Sequence, residues 1–297
     1  MTRASSAALL LVIACAPACA VNIDHEGYIE REEKKFTVAG IADLHLYTFD
    51  GAVEVRSWDR PEIVVEVEKR GQDKEAVSKI EILAEQKGNR IQVEARKPGG
   101  GGVFVGIGRF TSPSARFIAN VPRKANLVVR SGDGAILVER IDGRLELRTD
   151  DGRIRAVETA GELLAESRDG AVQVDDVSGK VEARTEDGSL RISGTPTALR
   201  ARSGDGSIVL RVRRGTRMTE DWMVATGDGS ISAELPDGFS AELEADPGSD
   251  GRARSELQLI DMSGGTREQR VLRGRLGEGG HRFVLRTGDG TIRITSY

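Results

Sequence analysis

Residues 127–170 read LVVRSGDGAILVERIDGRLELRTDDGRIRAVETAGELLAESRDG, and the dipeptide Asp-Gly recurs in them at a fixed interval, starting at positions 133, 151 and 169. The same interval continues through Asp187 to Asp205, so that five copies follow one another. Each copy has the pattern apolar, x, apolar, x, Ser or Thr, x, Asp, Gly, x, apolar, x, apolar. Because apolar and polar positions alternate, each copy predicts two half-buried β-strands that are joined by an Asp-Gly turn.

Three more copies of this pattern lie outside the regular run, at residues 44–55, 222–233 and 283–294. In every turn we expect Gly to supply a positive φ angle and the Asp carboxylate to cap the turn. The Ser or Thr side chain is small enough to face inward at a corner, where its hydroxyl can bond to local backbone.

The strict period favours an all-β solenoid, of the β-helix or β-roll type with 18-residue coils, over a sandwich or meander of hairpins. In a solenoid each coil stacks on the last at roughly 4.8 Å, and like residues form columns. Two inner columns are therefore expected, the first made of Leu127, Leu145, Leu163, Val181 and Leu199 and the second of Ile136, Ile154, Val172, Leu190 and Ile208.

The chain of 297 residues divides into four parts on these patterns. The parts are a signal peptide at 1–20, an irregular strand-rich N-terminal part at 21–125 with the early copy at 44–55, the regular solenoid at 126–235, and a degraded coil, a loop and the final copy at 236–297. Gly99–Gly102 predict a flexible loop rather than a phosphate site, since no phosphate-binding glycine motif fits there.

Segment 1–20 is typical of an export signal, because Arg3 is followed by a short apolar core at 7–14. Two kinds of processing remain open. Residues 12–15 resemble a bacterial lipobox, in which Cys15 would be lipidated, whereas 18–20 fit signal peptidase, with Val21 as the first mature residue. We therefore expect an exported protein of the bacterial cell envelope, either periplasmic, an outer-membrane lipoprotein or at the surface, with no membrane contact except through such a lipid.

Composition excludes several classes of protein. The 43 Lys+Arg and 47 Asp+Glu give a net charge of −4, which argues against a nucleic-acid partner. Both Cys residues lie within 1–20, so the chain from Val21 onward has neither a disulfide framework nor a thiolate for metal binding or catalysis.

The repeats also carry a family resemblance. The runs S-G-D-G-x-I and T-x-D-G-x-I, the signal segment and the closing RTGDGTIRI at 286–294 resemble a bacterial family of β-strand-repeat proteins. That family is labelled "putative adhesin" and is otherwise a domain of unknown function. The resemblance covers about residues 36–297 and implies a β-solenoid of the cell envelope, and no catalytic residue comes with it.

The stacked aspartates are the first candidate site, and they are Asp133, Asp151, Asp169, Asp187 and Asp205. A ladder of carboxylates repels itself unless turn N–H groups or shared cations neutralise it. One hypothesis is that the ladder binds calcium, because two nonapeptide repeats of a calcium-binding β-roll have the same combined length as one repeat of this chain. The Gly-Gly-x-Gly part of that motif is missing, however, so we expect turn-forming aspartates and predict no cofactor or metal.

An outward row of arginines is the second candidate, and the predicted binding surface comprises Arg130, Arg148, Arg184 and Arg202. A flat β face with ordered cations suits an acidic glycan or another envelope protein. The alternative is a solvated strand face whose charges discourage aggregation.

No catalytic set stands out, since His25, His45 and His281 lack ligand spacing and no G-x-S-x-G elbow is present. The sequence therefore predicts a non-enzymatic adhesin or scaffold that presents a rigid solenoid face. Two alternatives stay open. One is a polysaccharide-active β-helical lyase or hydrolase, and the other is an envelope scaffold that self-associates through its open ends.

Overall fold

A computed structural model describes residues 27–97, 112–260 and 271–297 of the chain. The signal segment with Cys15 and the Gly99–Gly102 loop, for which the sequence made predictions, lie outside the described residues. The strands are β1 Tyr28–Thr37, β2 Ala42–Thr48, β3 Val53–Trp58, β4 Glu62–Gly71, β5 Glu81–Lys87, β6 Arg90–Arg96, β7 Ser114–Pro122, β8 Ala125–Ser131, β9 Ile136–Glu139, β10 Asp142–Thr149, β11 Ile154–Val157, β12 Ala160–Ser167, β13 Val172–Arg184, β14 Leu190–Arg202, β15 Ile208–Val212, β16 Trp222–Thr226, β17 Ile231–Leu235, β18 Ala241–Asp246, β19 Arg252–Ser255, β20 Leu272–Leu276, β21 Arg282–Thr287 and β22 Thr291–Ser296.

One short helix, α1 Lys74–Ser78, interrupts the strands. It begins after Asp73, whose carboxylate accepts the Ala76 N–H at 2.8 Å and so caps the helix. Among the described residues no helix is long and apolar enough to cross a membrane. The prediction of an all-β fold is confirmed.

The strands form two layers that face each other. Layer A has the spatial order β5, β6, β2, β8, β10, β12, the end of β13, the end of β14, β16, β21, β18 and β20. Layer B has the order β1, β4, β7, β3, β9, β11, the start of β13, the start of β14, β15, β17, β22 and β19. Neighbouring copies of the repeat pair in parallel, so the repeats are not hairpins, and the architecture is solenoid-like.

The spacing between paired residues is regular only in the middle of the chain. Leu163 pairs with Val181 and Val181 with Leu199, each one period further along the sequence. The next step is longer, since a strict period would bring Met218 opposite Arg200, whereas Met223 lies there. The prediction of 18-residue coils is therefore too regular for the chain as a whole.

The two predicted inner columns are both buried. No member of either column is more than 4% exposed, and all belong to a single hydrophobic core between the layers. The core also holds Trp222, which packs edge-on to Phe283 with the ring centroids 5.5 Å apart. The parallel register places the members of a column directly above one another. Each column therefore consists of stacked branched aliphatic side chains.

The Asp-Gly turns differ from the prediction in the role of their glycines. Of the copies, only the first has its turn glycine, Gly51, at positive φ. In the others the glycine is required by close stacking: a Cβ on Gly170 would lie 2.0 Å from the carbonyl oxygen of Gly152, one repeat earlier. Gly188 meets Gly170 in the same way at 2.2 Å. The expectation of a positive φ was therefore wrong for these turns, and glycine is present because the coils touch backbone to backbone.

In the five regular copies the Ser or Thr hydroxyl caps the turn, rather than the expected Asp carboxylate. The Ser167 hydroxyl accepts the Gly170 N–H at 3.0 Å and donates to the Gly152 carbonyl at 3.0 Å. Thr185 repeats this geometry with Gly188 and Gly170, both at 3.1 Å. A continuous ladder of hydroxyls thus joins each coil to the preceding one along this edge, here called the hydroxyl ladder.

The order of the coils in space differs from their order in the chain at both ends. The final copy (β21 and β22) inserts between the coil of β16 and β17 and the coil of β18 and β19. At the other end, β4 pairs antiparallel with β7, and β1 pairs antiparallel with β4. Both ends are therefore closed by excursions of the chain that break the repeat.

Candidate functional site

The four predicted binding arginines lie in one row on the outer face of layer A. Register pairing places Arg130 beside Arg148, Glu166 between Arg148 and Arg184, and Arg202 beside Arg184. Neighbouring members of the row are about 4.8 Å apart, as adjacent strands require. The row of arginines that the sequence predicts is therefore present, and its role in binding stays a prediction.

Acidic side chains neutralise most of this row. An ion-pair chain runs along it, from Arg130 to Glu146 at 2.9 Å, from Arg148 to Glu146 at 3.1 Å and Glu166 at 3.2 Å, and from Arg184 to Glu166 at 3.1 Å and to Glu182. Since these side chains are half exposed, each pair contributes at most about 1 kcal/mol to stability. Arg130, Arg148 and Arg184 are therefore held in a network of their own.

The chain of ion pairs stops at β14. Arg200 and Arg202 point from the same face of that strand, and neither forms an ion pair within the described ranges. The next strand, β16, offers Met223 and Ala225 opposite them instead of charged partners. Met223 is 47% exposed, which is high for so large an apolar side chain.

A second charged cluster lies beyond β16. The Glu244 carboxylate contacts Arg282 at 3.0 Å, Arg286 at 3.3 Å and Arg273 at 3.5 Å. Burial raises the pKa of Glu244, but the hydrogen bonds from Arg282 and Arg286 and the nearby charges outweigh it and leave the pKa below its usual value. Three arginines around one ionised carboxylate leave this cluster with an excess of positive charge.

A groove of about 1320 Å³ crosses layer A from the ion-pair chain to Arg282 of the second cluster. Arg200 and Arg202 line one wall, Arg282 the other, and Met223 and Ala225 the floor between them. We name this feature the arginine groove. The lining also includes six carboxylates, which are Asp150, Glu166, Glu182, Glu186, Asp187 and Asp221. The cationic part of the groove is therefore local to Arg200, Arg202 and Arg282, where guanidinium groups border an apolar strip and can hold an anionic group while they cover an apolar surface of the same ligand.

The sequence missed the part of this groove that β16 contributes. The repeat at 222–233 departs from its neighbours in two ways: Ala225 takes the place of the row arginine, and the connection before it is longer. Both departures can be seen when the copies are compared, but neither of them by itself indicates a groove.

The stacked aspartates remain at the surface. Asp133, Asp151, Asp169, Asp187 and Asp205 are all exposed on the edge of the hydroxyl ladder. Burial, followed by the charge of Asp133, raises the pKa of Asp50, which stands next in the same column. Among the residues that the structure describes, no three His, Cys, Asp or Glu side chains form a group that could hold a metal ion.

The histidines contribute a second polar cluster on layer A. His45 is largely buried on β2, and its ring nitrogens contact Tyr47 Oη at 3.0 Å and Asp43 Oδ1 at 3.1 Å. These three residues alternate along one strand, and their spacing is not a metal-ligand motif of the kind that the sequence would show. His281 lies apart from them, 3.5 Å from Asp221.

Comparison with known proteins places the chain in a family. The family model described as Toastrack DUF4097 matches residues 41–295. The match spans most of the chain, so the chain belongs to this family, in agreement with the resemblance seen in the repeats. No curated protein matches the chain.

Solved structures give distant matches. A putative cell adhesion protein from Clostridium sporogenes has 14% identity and a TM-score of 0.28, with 90% of this chain and 100% of that chain covered. A putative adhesin from Bacteroides fragilis has 14% identity and a TM-score of 0.39, with 89% and 96% covered. A putative lipid binding protein from Parabacteroides distasonis has 9% identity and a TM-score of 0.38, with 88% and 96% covered. At TM-scores this low, none of them bears on the function of this chain.

Proposed function

We propose that this member of the Toastrack DUF4097 family is a non-enzymatic, adhesin-like or scaffold protein of the bacterial cell envelope that binds an acidic glycan through the arginine groove. The observation that carries the proposal is the break in the ion-pair chain at β14. Arg200 and Arg202 form no ion pair within the described residues, although Glu182 of β13 lies opposite Arg200, and both line the arginine groove.

The chemistry of the groove suits a carboxylate-bearing polymer. A guanidinium binds a carboxylate through two parallel hydrogen bonds, and such charge-assisted bonds are stronger than neutral ones. Met223 and Ala225 supply an apolar strip of the width of one strand, against which the C–H face of a sugar ring can pack. Because the groove is open along the layer, a polymer can enter it without a free chain end.

Rigidity supports the binding role. The face consists of strands whose backbone groups pair on both sides, and each strand is tied to the next by the hydroxyl ladder. Binding therefore loses little conformational entropy in the protein, which favours affinity for a repetitive partner.

Two carboxyls near the groove are unsuited to act as a general acid. A general acid for glycoside cleavage needs a raised pKa. The pKa of both is lowered instead. The hydrogen bond from Lys180 lowers the pKa of Glu220, and the arginine contacts keep the pKa of Glu244 below its usual value. These carboxyls stay ionised at neutral pH.

The β1 edge of the solenoid is poorly suited to self-association. The end strand β1 presents the segment EREEKK at 30–35 along an edge that pairs only with β4 among the described strands. Charged edge strands resist pairing with a second copy. A single species in light scattering across a hundredfold range of concentration is the expected result.

Binding is tested by titrating the mature protein with polygalacturonate and with dextran as the neutral polymer, using isothermal calorimetry at low salt. We expect binding to polygalacturonate alone. Arg200→Gln combined with Arg202→Gln should raise Kd at least tenfold, because each lost charge-assisted bond is worth about 1.5 kcal/mol or more.

The matched control is Lys124→Gln combined with Arg153→Gln. It removes the same net charge from two exposed cations that form no ion pair among the described residues and lie outside the groove. An equal loss of binding in the control would mean that only net charge matters, and the groove would no longer be the site. New reducing ends or unsaturated products from the polymer would instead establish the polysaccharide-active enzyme.

Export is tested separately. Intact mass and membrane fractionation after expression in a bacterial host should give either a diacylglycerol on Cys15 in the membrane fraction or a soluble species that begins at Val21. A cytoplasmic protein with an intact N-terminus would contradict the envelope location.

A further inference from the structure

Layer B, on the opposite side of the molecule, carries a second cationic pocket that the sequence did not indicate. Its volume is about 720 Å³, and its lining includes Arg191, Arg211, Arg213, Arg214 and Tyr297. None of these residues takes part in the arginine groove. The pocket therefore constitutes a separate site.

The pocket exists because the repeat is interrupted next to it. Where the step between coils becomes longer than the period, the connection after β15 lengthens and carries Arg213 and Arg214. Both residues line the pocket together with Arg191 from the start of β14. A regular turn at this point would lack these two cations.

Two of the four arginines have acidic partners, and two do not. Arg211 contacts Glu234 at 3.3 Å, and Arg213 pairs with Asp176. Arg191 and Arg214 form no ion pair in the part of the chain that the structure describes. The neighbours of Arg191 on the adjacent strands are Gln173 and Val209, neither of which can neutralise it.

The one further carboxylate in the pocket is already engaged. Asp175 contacts Arg155 at 3.4 Å and accepts a hydrogen bond from the Gln173 amide at 2.8 Å. The pocket thus holds a net positive charge that its own side chains do not balance. Uncompensated guanidinium groups that share one concave surface favour a bound anion.

An aromatic ring is fixed at the same place. The Tyr297 hydroxyl donates to the Val212 carbonyl at 2.8 Å, and the Arg211 guanidinium lies 4.9 Å from the ring centroid. The ring is held at both its edge and one face, yet the residue remains 38% exposed. A positioned ring beside unpaired arginines is suited to a ligand that has both an apolar face and an anionic group.

We propose that this pocket binds one acidic sugar unit, with the carboxylate on Arg191 and Arg214 and the C–H face of the ring against Tyr297 and Val209. A simple inorganic anion would use the arginines but not the aromatic ring. The site stands independently of the arginine groove, so that a protein with both would hold two acidic glycan segments on opposite faces.

The experiment uses the mature protein labelled with ¹⁵N and follows the arginine Nε–Hε signals in NMR titrations with D-glucuronate, D-glucose and inorganic phosphate. We expect saturable shifts with glucuronate, and none with glucose at the same concentrations. Arg191→Gln combined with Arg214→Gln should raise the Kd for glucuronate at least tenfold.

Two variants separate the explanations. Tyr297→Leu should weaken glucuronate binding severalfold and leave phosphate binding unchanged. Arg200→Gln with Arg202→Gln should leave the shifts of this pocket intact, whether or not the arginine groove binds polymer, so failure of one proposal does not imply failure of the other.

The proposal is overturned if glucuronate binding survives in the Arg191 and Arg214 double variant, or if glucose binds as well as glucuronate. Equal binding of phosphate and glucuronate with no effect of Tyr297→Leu would also overturn it, because the pocket would then take any small anion. Melting temperatures of all variants that agree within about 2 °C show that each outcome reflects binding and not unfolding.

Discussion

Replacing Gly170 by Ala tests the claim that glycine is present in these turns because successive coils touch. An added Cβ would lie 2.0 Å from the Gly152 carbonyl oxygen and 2.8 Å from the Ser167 hydroxyl, well inside van der Waals contact. Relief requires the coils to separate by roughly 1 Å or more, which also breaks the hydrogen bond between Ser167 and Gly152. Overpacking costs about 1–3 kcal/mol and the lost bond about 1 kcal/mol, so we expect a loss of about 3 kcal/mol.

The assay is urea unfolding followed by far-ultraviolet circular dichroism, with the thermal midpoint expected to fall by about 8 °C for a chain of this size. Gly238 is the matched control, because it has a φ of 80° and nothing within 4 Å of an added Cβ. There Ala should cost about 1 kcal/mol through backbone strain alone, and Asn should cost less than Ala because it tolerates that conformation.

The pattern across substitutions decides between the two causes. If stacking requires Gly170, then Asn must be at least as damaging as Ala there. A Gly170→Asn variant that is more stable than Gly170→Ala, or a Gly170→Ala variant that loses less than roughly 1 kcal/mol, would refute the stacking argument and return the turn to a conformational role.

Three further predictions follow from the same geometry. Thr185→Val should lower the free energy of unfolding by about 2 kcal/mol, because the backbone groups that it serves stay buried without partners, whereas Thr185→Ser should be nearly neutral in the same urea assay. The folded pKa of Glu244 lies below its usual 4.5, so its contribution to stability is present above that value and is lost as the pH falls through the lower folded pKa. Glu244→Gln should therefore flatten the decline of the urea midpoint below about pH 4.5, and an unaltered decline would contradict the assignment. Trp222→Ala should cost about 4 kcal/mol by emptying a fully buried site, as measured by the urea midpoint, and a loss below about 1 kcal/mol would show that the core refills it.

The fold could be predicted from the sequence where a pattern repeats. It could not be predicted where strands pair with partners that lie far along the chain. Alternating apolar positions in five equal copies fix both the burial of Leu163 and Ile154 and their parallel neighbours, because a strict period has one consistent stacking. The insertion of the final copy between two earlier coils has no local signal. The position of this copy depends on contacts between strands that lie far apart in the chain, since β21 with Phe283 pairs with β16 on one side and with β18 on the other.

The turn chemistry shows the same limit at the scale of single residues. Asp-Gly is so strongly linked with positive φ in hairpins that the local reading assigned that role to Gly170. The contact that requires glycine is made with the Gly152 carbonyl, which is visible only when two coils are stacked. The hydroxyl of Ser167 could be placed at the corner from its size and position, and the structure adds that it joins two coils rather than closing one turn.

Both candidate sites lie where the repeat is broken, and this follows from what a regular solenoid does to its charges. Along the regular coils an arginine such as Arg148 stands between Glu146 of its own strand and Glu166 of the next strand, and the face neutralises itself. The longer step after β14 removes the matching partner on layer A, where Met223 faces Arg200, and on layer B it adds Arg214 beside Arg191. The regular coils thus supply a stiff frame, and the irregular step leaves on each face a pair of arginines that form no ion pair among the described residues.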